Sequence, residues 1–258
     1  MYKAKPEDGV VWITGASRGI GRATALEMAN RGYKVVVTAR TESDLRELAN
    51  SHENINYISA DVTNRSSMRA LVDLIETIIG PISLAFLNAG GHFMAGADMF
   101  GDSFRKSMDL NFYGALNCVE FLLPKMLKRK QGQIVFMSSV SGYGGLPLFN
   151  PAYIVSKSAT ITLAESMKQQ LEDRNINVQV VCSGFVSTSL IPRKVIKTPF
   201  VVTAEEAAKI IVDGLNSNKF EITFPKFGVF LMKLTNIMPY WLYFLIVKLG
   251  IKYVIRKR

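Results

Sequence analysis

The sequence predicts a doubly wound, seven-stranded parallel β-sheet with helices on both faces, finished by an apolar, basic helical appendage. Three observations carry that expectation. Short runs rich in valine and isoleucine alternate with helical patterns at a regular beat. Those runs are apolar almost throughout, as strands covered on both faces must be. The composition then changes abruptly past residue 225, where aromatic and aliphatic residues are interleaved with lysine and arginine.

Taken in order, the strand runs are VVWITG (10–15), YKVVVTA (33–39), INYISA (55–60), ISLAFLN (82–88), GQIVFMS (132–138), INVQVVC (176–182) and FEITF (220–224). Helical patterns occupy 19–31, 64–79, 103–129, 152–173 and 203–216 between them. No Pro/Gly/Ser-rich linker and no internal repeat divides 1–225, which reads as one domain. Residues 226–258 read as an appendage to it.

Composition excludes several classes. Nearly half of the 258 residues are apolar, which rules out a disordered chain. Cys118 and Cys182 alone make no disulfide framework and fit no metal site, so a reducing, cytoplasmic setting is expected. The N-terminal MYKAKPEDGVVWITG has no apolar core segment of the secretory kind. The net charge of +10 is unevenly spread: from Lys219 onward eight basic residues face one acid, Glu221, so that stretch carries +7 and leaves +3 for the 218 residues before it. Basic charge mixed with bulky apolar residues suits a membrane surface better than a nucleic-acid groove.

Between the first strand and first helix stands VVWITGASRGIGRA, with Gly15, Gly19 and Gly21 around Ser17, Arg18 and Ile20. Glycines at these places let the chain turn sharply, let the backbone approach a pyrophosphate, and let the helix pack close to the strand. The helix N-terminus supplies free N–H groups and the positive end of its dipole. This is the dinucleotide-binding arrangement of a Rossmann-type sheet. The end of the second strand chooses the cofactor. Where a carboxylate would hold the ribose hydroxyl, VVVTARTE has Ala39 followed by Arg40, and Arg18 lies in the loop opposite. Two guanidiniums without an acid predict NADP(H) over NAD(H); Glu42 is accounted for as a helix-starting residue.

Tyr153 and Lys157, in NPAYIVSKSA, are four residues apart and share one face of a helix. A nearby ammonium lowers a phenol's pKa, and such a phenol can protonate a carbonyl oxygen as hydride arrives. With these residues on the page, the chain from about residue 9 to 224 strongly resembles the short-chain dehydrogenase/reductase family. The matching motifs are Thr14-Gly-x-x-x-Gly-x-Gly21, Asp61-Val62, Asn88-Ala89-Gly90, Asn111, the serine of SSVSG, and Tyr153-x-x-x-Lys157. The resemblance implies Tyr153 as general acid/base and Lys157 as its modulator and ribose contact. It also implies Asn111 as holder of a relay water, Asp61 and Val62 at the adenine, and Val186 and Thr188 at the nicotinamide. Of the serines, Ser139 fits the family pattern, Ser141 remains an alternative, and Ser138 is expected to be structural. The spacing from Ser139 to Tyr153 is one residue longer than usual, and Ser183-Gly184 stands where the family usually has Pro-Gly.

In the appendage, the longest uncharged run, 234–247, is too short for a membrane span, which takes roughly 20 residues. If 240–256 is helical, Lys248, Lys252 and Arg256 fall on one stripe, the pattern of a helix lying in a membrane interface. A second such helix is expected over 227–238. A homo-oligomer interface or a lid over the substrate cleft are the alternatives. The expected function is therefore NADPH-dependent reduction of a ketone on a long-chain lipid, by an enzyme peripheral to a membrane. The resemblance is closest to 3-ketodihydrosphingosine reductases and hydroxysteroid dehydrogenases. A 3-oxoacyl-carrier-protein reductase is the alternative among enzymes, and a non-catalytic NADPH-sensing membrane adaptor the alternative outside them. No metal is expected.

Overall fold

A computed structural model describes residues 1–93, 100–145, 150–187, 201–225, 229–230, 232–234 and 237–256, the last seven by their backbone alone. Seven parallel strands form one sheet: β1 (Val10–Thr14), β2 (Lys34–Ala39), β3 (Ile55–Ser59), β4 (Ile82–Leu87), β5 (Gly132–Ser139), β6 (Ile176–Ser183) and, last in space and sequence, Glu221–Phe224. Each lies within one residue of its predicted run. The spatial order is β3-β2-β1-β4-β5-β6 and then Glu221–Phe224. The chain therefore builds outward on one side of β1 and then reverses to the other. That reversal opens a crevice between the C-terminal ends of β1 and β4, the place where open α/β sheets bind ligands.

Burial explains why these runs are strands. β1, β4, β5 and β6 are buried at every position, and alternate side chains feed two cores, one on each face. Trp12, Val36, Ile134, Phe136 and Val180 point to one face, against Leu122 and Met126. Val11, Ile13, Val35, Val37, Phe86 and Val181 point to the other. Helices α1 (Gly19–Asn30), α2 (Glu42–Asn50), α3 (Arg65–Leu74), α4 (Asp102–Met108), α5 (Gly114–Arg129), α6 (Pro151–Leu171) and α7 (Ala204–Leu215) cover the faces. α7 starts in a capping box, Thr203 and Glu206 each bonding the other's backbone N–H.

The expected helix 64–79 is α3 followed by a π-helical turn, Ile75–Ile79, and two further details depart from the expected layout. The predicted helix 103–129 is two helices joined by a π-helical turn, Asp109–Tyr113. Gly114 follows this turn, and a Cβ there would lie 2.7 Å from Val62 Cγ2, so the helix comes this close to Val62 only with glycine there. The second departure is a small parallel pair, β7 (Val186–Ser187) with β8 (Val202–Thr203), which no predicted strand run includes. The last strand of the main sheet, Glu221–Phe224, is accordingly β9.

At the C-terminal end, residues 229–230 and 232–234 are helical and α8 runs over Tyr240–Arg256. The rest of the helix expected over 227–238 lies largely outside the described residues. Among the described residues, no helix is long and apolar enough to cross a membrane.

Candidate active site

The loop after β1 has the conformation its glycines predict. Gly15 and Gly19 adopt φ of 67° and 59°, in the left-handed region that side chains resist. A Cβ on Gly21 would stand 2.5 Å from both Asn88 Nδ2 and Gly15 O, so α1 comes this close to the loop only with glycine there. Asn88 explains why the end of β4 matters: its amide donates to Thr14 O at 3.0 Å and to Gly15 O at 3.1 Å. Ala89 N–H donates to Thr14 Oγ1 at 3.0 Å. The two strands flanking the crevice are thereby tied together directly beneath the phosphate loop. Asn88 supports the cradle through the backbone it holds. Ser17 and Ile20 are half-buried in the loop, Ile20 packing on the core behind it.

At the adenosine end, Arg18 and Arg40 are exposed. The rival acid is engaged elsewhere: Glu42 pairs with Arg46 on the same helix at 2.8 Å and accepts from Tyr57 Oη. Asp61 Oδ1 accepts from the N–H and hydroxyl of Thr63, both at 2.9 Å, which shapes the turn after β3. Val62 is buried against Gly114, and its carbonyl accepts from Asn117 Nδ2. A cavity of about 520 Å³ opens here, lined by Arg40, Thr63, Lys106, Asp109, Leu110 and Phe93 among others. Lys106 is a cation that sequence reasoning missed, because only the fold brings α4 to within reach of the end of β2.

The reacting end is built from β4, β5 and α6. Asn111, in the π-helical turn and 2% exposed, clamps the chain after the Asn-Ala-Gly strand end. Its Oδ1 accepts from Gly91 N–H at 2.8 Å, and its Nδ2 donates to Gly91 O and Ser156 Oγ, both at 3.0 Å. A Cβ on Gly90 would meet Asn111 Oδ1 at 3.0 Å and Lys157 Nζ at 3.2 Å, so a bare backbone is what leaves room there. Lys157, 4% exposed, donates from Nζ to Met137 O at 2.9 Å. Burial pushes its pKa down from 10.5 to about 8.

The three serines separate cleanly. The Ser138 hydroxyl donates to Lys157 O at 2.8 Å, a strand-to-helix tie. Ser139 Oγ donates to Ser183 O at 3.3 Å and accepts from both the N–H and the hydroxyl of Ser141, at 3.2 and 3.0 Å. Ser139 is also the group that faces the Tyr153 phenol. Burial raises the Tyr153 pKa above its usual value, and the Ser139 side chain pulls it part of the way back. The sequence reading looks to Lys157 for a lowering, and burial acts in the opposite direction. The ammonium is 5.8 Å from the centre of the Tyr153 ring and is held by a carbonyl. The leading influence on the phenol is its burial.

His92 stands in the loop after the Asn-Ala-Gly strand end. It is exposed, yet its ring lies 5.3 Å from that of Tyr153 at 55°. Asn150 joins the same edge: it caps α6 through Ala152 N–H at 2.9 Å and donates from Nδ2 to Phe93 O at 2.6 Å. Val186 is buried beside the site's far edge, and Thr188 lies outside the described residues. Among the described residues, no cluster of His, Cys, Asp and Glu could hold a metal.

A phosphate loop at the switch point, with a half-buried Tyr153 beside a buried Lys157 and a serine at the end of β5, defines a dinucleotide-dependent oxidoreductase class. The chain matches the family described as short chain dehydrogenase over residues 9–197 and belongs to it. Among similar proteins is the mouse Dehydrogenase/reductase SDR family member 7B, 32% identical over 73% of this chain and 61% of that protein. The Ketoacyl reductase HetN of Nostoc sp. is 34% identical over 69% of this chain and 63% of its own. The chain thus spans about three-fifths of each. Mouse 17-beta-hydroxysteroid dehydrogenase 13 is 28% identical over 84% of this chain and 74% of its own. Of solved structures, ElxO with NADP bound superposes with TM-score 0.75 at 26% identity, covering 84% of this chain and 97% of that one.

Proposed function

We propose that the protein is an NADPH-dependent reductase that converts the ketone of a long-chain lipid to a secondary alcohol while resting on a membrane surface. The observation that carries the reading is the convergence of Tyr153, Ser139 and a buried Lys157 at the crevice where the phosphate loop ends. NADPH, when bound there, supplies the hydride. The residues around it fit that cofactor: the positive-φ glycines admit the pyrophosphate, Arg18, Arg40 and Lys106 offer charge to a further phosphate, and Gly90 leaves a path to Lys157.

The remaining steps belong to the chain. Ser139 donates a hydrogen bond to the ketone oxygen, orienting it and favouring the charge that develops there. Tyr153, kept protonated by burial, gives its proton to that oxygen. Lys157, a cation at neutral pH, steadies the phenolate left behind and contacts the ribose. Asn111 holds the Gly90–Gly91 backbone clear of both.

The lipid part rests on α8. Its inward side, Leu242, Tyr243 and Val247, is partly covered. Its outward side leaves Tyr240, Trp241, Phe244, Leu245 and Leu249 between 49% and 80% exposed, with Lys248 beside them. An apolar face flanked by lysines suits an anionic bilayer surface. A 3-oxoacyl-carrier-protein reductase is the second reading, favoured by the similarity to a ketoacyl reductase; the basic charge would then meet an acidic carrier.

The test is NADPH oxidation by purified protein with a long-chain 3-keto lipid or a short acetoacetyl thioester, each with and without anionic liposomes. Turnover of the lipid ketone that rises with liposomes is the expected result. Preference for the thioester, indifferent to lipid, contradicts the membrane part and favours the carrier-protein reading.

A further inference from the structure

Among the described residues, a second group of chemically active side chains draws together near the catalytic ones. The 3₁₀ turn Val140–Tyr143 is capped by Ser139, so it begins at the serine that faces Tyr153 and ends at Tyr143. Tyr143 Oη donates to Glu221 Oε1 at 2.5 Å. Glu221 opens β9 and pairs in register with Val180 of β6. Its other oxygen accepts from Lys233 Nζ, and that ammonium also lies 5.1 Å from the centre of the Tyr143 ring. Lys233 belongs to the C-terminal appendage, whose entry is seated by the buried Val229. A second attachment follows: Tyr243 Oη, on α8, donates to Gly145 O at 2.8 Å.

Both attachments fall on one short stretch of chain. Residues 143–145 follow the turn of Ser139 and Ser141, and Asn150, which follows in turn, caps the helix carrying Tyr153. An isolated exposed ion pair contributes little to stability. This one is different in kind, because the Glu221 side chain is only 22% exposed and serves two partners at once. Losing one partner leaves a sheltered carboxylate or phenol unsatisfied. An anchor needed only for a membrane helix has no reason to grip the catalytic turn.

We propose that the C-terminal segment is the outer wall of the substrate cleft, latched to the catalytic turn by Lys233, Glu221 and Tyr143 and pinned by Tyr243, and that this wall sets a preference for long apolar ketones. The inference rests on the reductase reading above. A short ketone occupies the space between Ser139 and Tyr153 alone. A long one extends past residues 143–145 and gains the apolar surface of the segment. Tyr143 stays a donor to Glu221 at any physiological pH, since burial raises its pKa. The latch is therefore closed by packing and charge together.

The experiment uses the full chain, NADPH and a series of methyl ketones from 2-hexanone to 2-dodecanone, with Lys233→Met, Tyr243→Phe and the conservative Lys233→Arg. In Lys233→Met and Tyr243→Phe, kcat/KM for 2-dodecanone should fall about tenfold through KM, while that for 2-hexanone stays within about twofold. Lys233→Arg should restore the long-chain preference. Independently of turnover, trypsin should release the C-terminal segment several times faster from Glu221→Gln than from the wild type. Parallel losses on both ketones, no loss on either, or an unchanged trypsin rate would each overturn the proposal. A wild-type protein that reduces no member of the series overturns the reductase reading instead; the trypsin comparison then decides the latch alone.

Discussion

Lys157 holds a charge where the surroundings resist one. It is buried among β5, α6 and the Gly90 backbone, and its pKa falls from 10.5 to about 8 for that reason. Between those pH values the folded chain binds fewer protons than the unfolded chain at this group. Its burial therefore costs about 3 kcal/mol of stability below pH 8, and stability is regained as the pH climbs to 10.5. Replacing it tests this. Urea unfolding of wild type against Lys157→Met, from pH 7 to 10.5, should show a difference that shifts steadily in favour of the wild type. A pH-independent difference would contradict it. For the reaction, loss of the Lys157 charge predicts that kcat/KM for ketone reduction declines above about pH 8. At this scale the sequence is informative about identity and poor about environment. The four-residue spacing of Tyr153 and Lys157 announces the pair, whereas the rise in the phenol's pKa depends on burial that no local pattern encodes. His92 shows the same limit, since its partner ring is sixty-one residues away.

The π-helical turn between α4 and α5 is the element on which the site's geometry most depends. Gly114 lies against Val62, and Asn111 in the turn bonds both the N–H and the carbonyl of Gly91. Gly114→Ala would force a Cβ into Val62 Cγ2, an overpacking that costs roughly 1–3 kcal/mol. The variant should unfold at lower urea and lose kcat as Asn111 moves. Wild-type stability and kcat together would refute the role assigned to the turn. The strands were legible because a buried parallel strand is an unbroken apolar run, and their ends are marked by charge or glycine. The break at 109–113 was not, because its residues suit an α-helix equally well and the contact of the following Gly114 is with Val62, fifty-two residues before that glycine. β7 and β8 were missed for another reason: two residues each leave no periodicity to read.

For the molecule as a whole, the charge and the apolar surface point the same way. Seven of the ten excess positive charges lie from Lys219 onward, and there too lies the exposed aromatic face of α8. Composition foretold the contrast between this end and the sheet. It did not foretell that the appendage grips the turn between Ser139 and Tyr153, since Lys233, Glu221, Tyr143 and Tyr243 belong to no motif. The fold thus brings together a crevice at the β1–β4 reversal, Tyr153 on α6, and a C-terminal helix whose Tyr243 bonds to Gly145. The claim on which the rest stands is that hydride from NADPH reaches a ketone carbon while Tyr153 protonates its oxygen. NADPH deuterated at the transferable position, incubated with the protein and 2-dodecanone, tests that directly by mass spectrometry of the alcohol. One deuterium on the carbinol carbon from the wild type, and a rate lower by about a thousandfold from Tyr153→Phe with NADPH binding intact, is the predicted result. Alcohol without deuterium, or transfer by Tyr153→Phe at the wild-type rate, would contradict it.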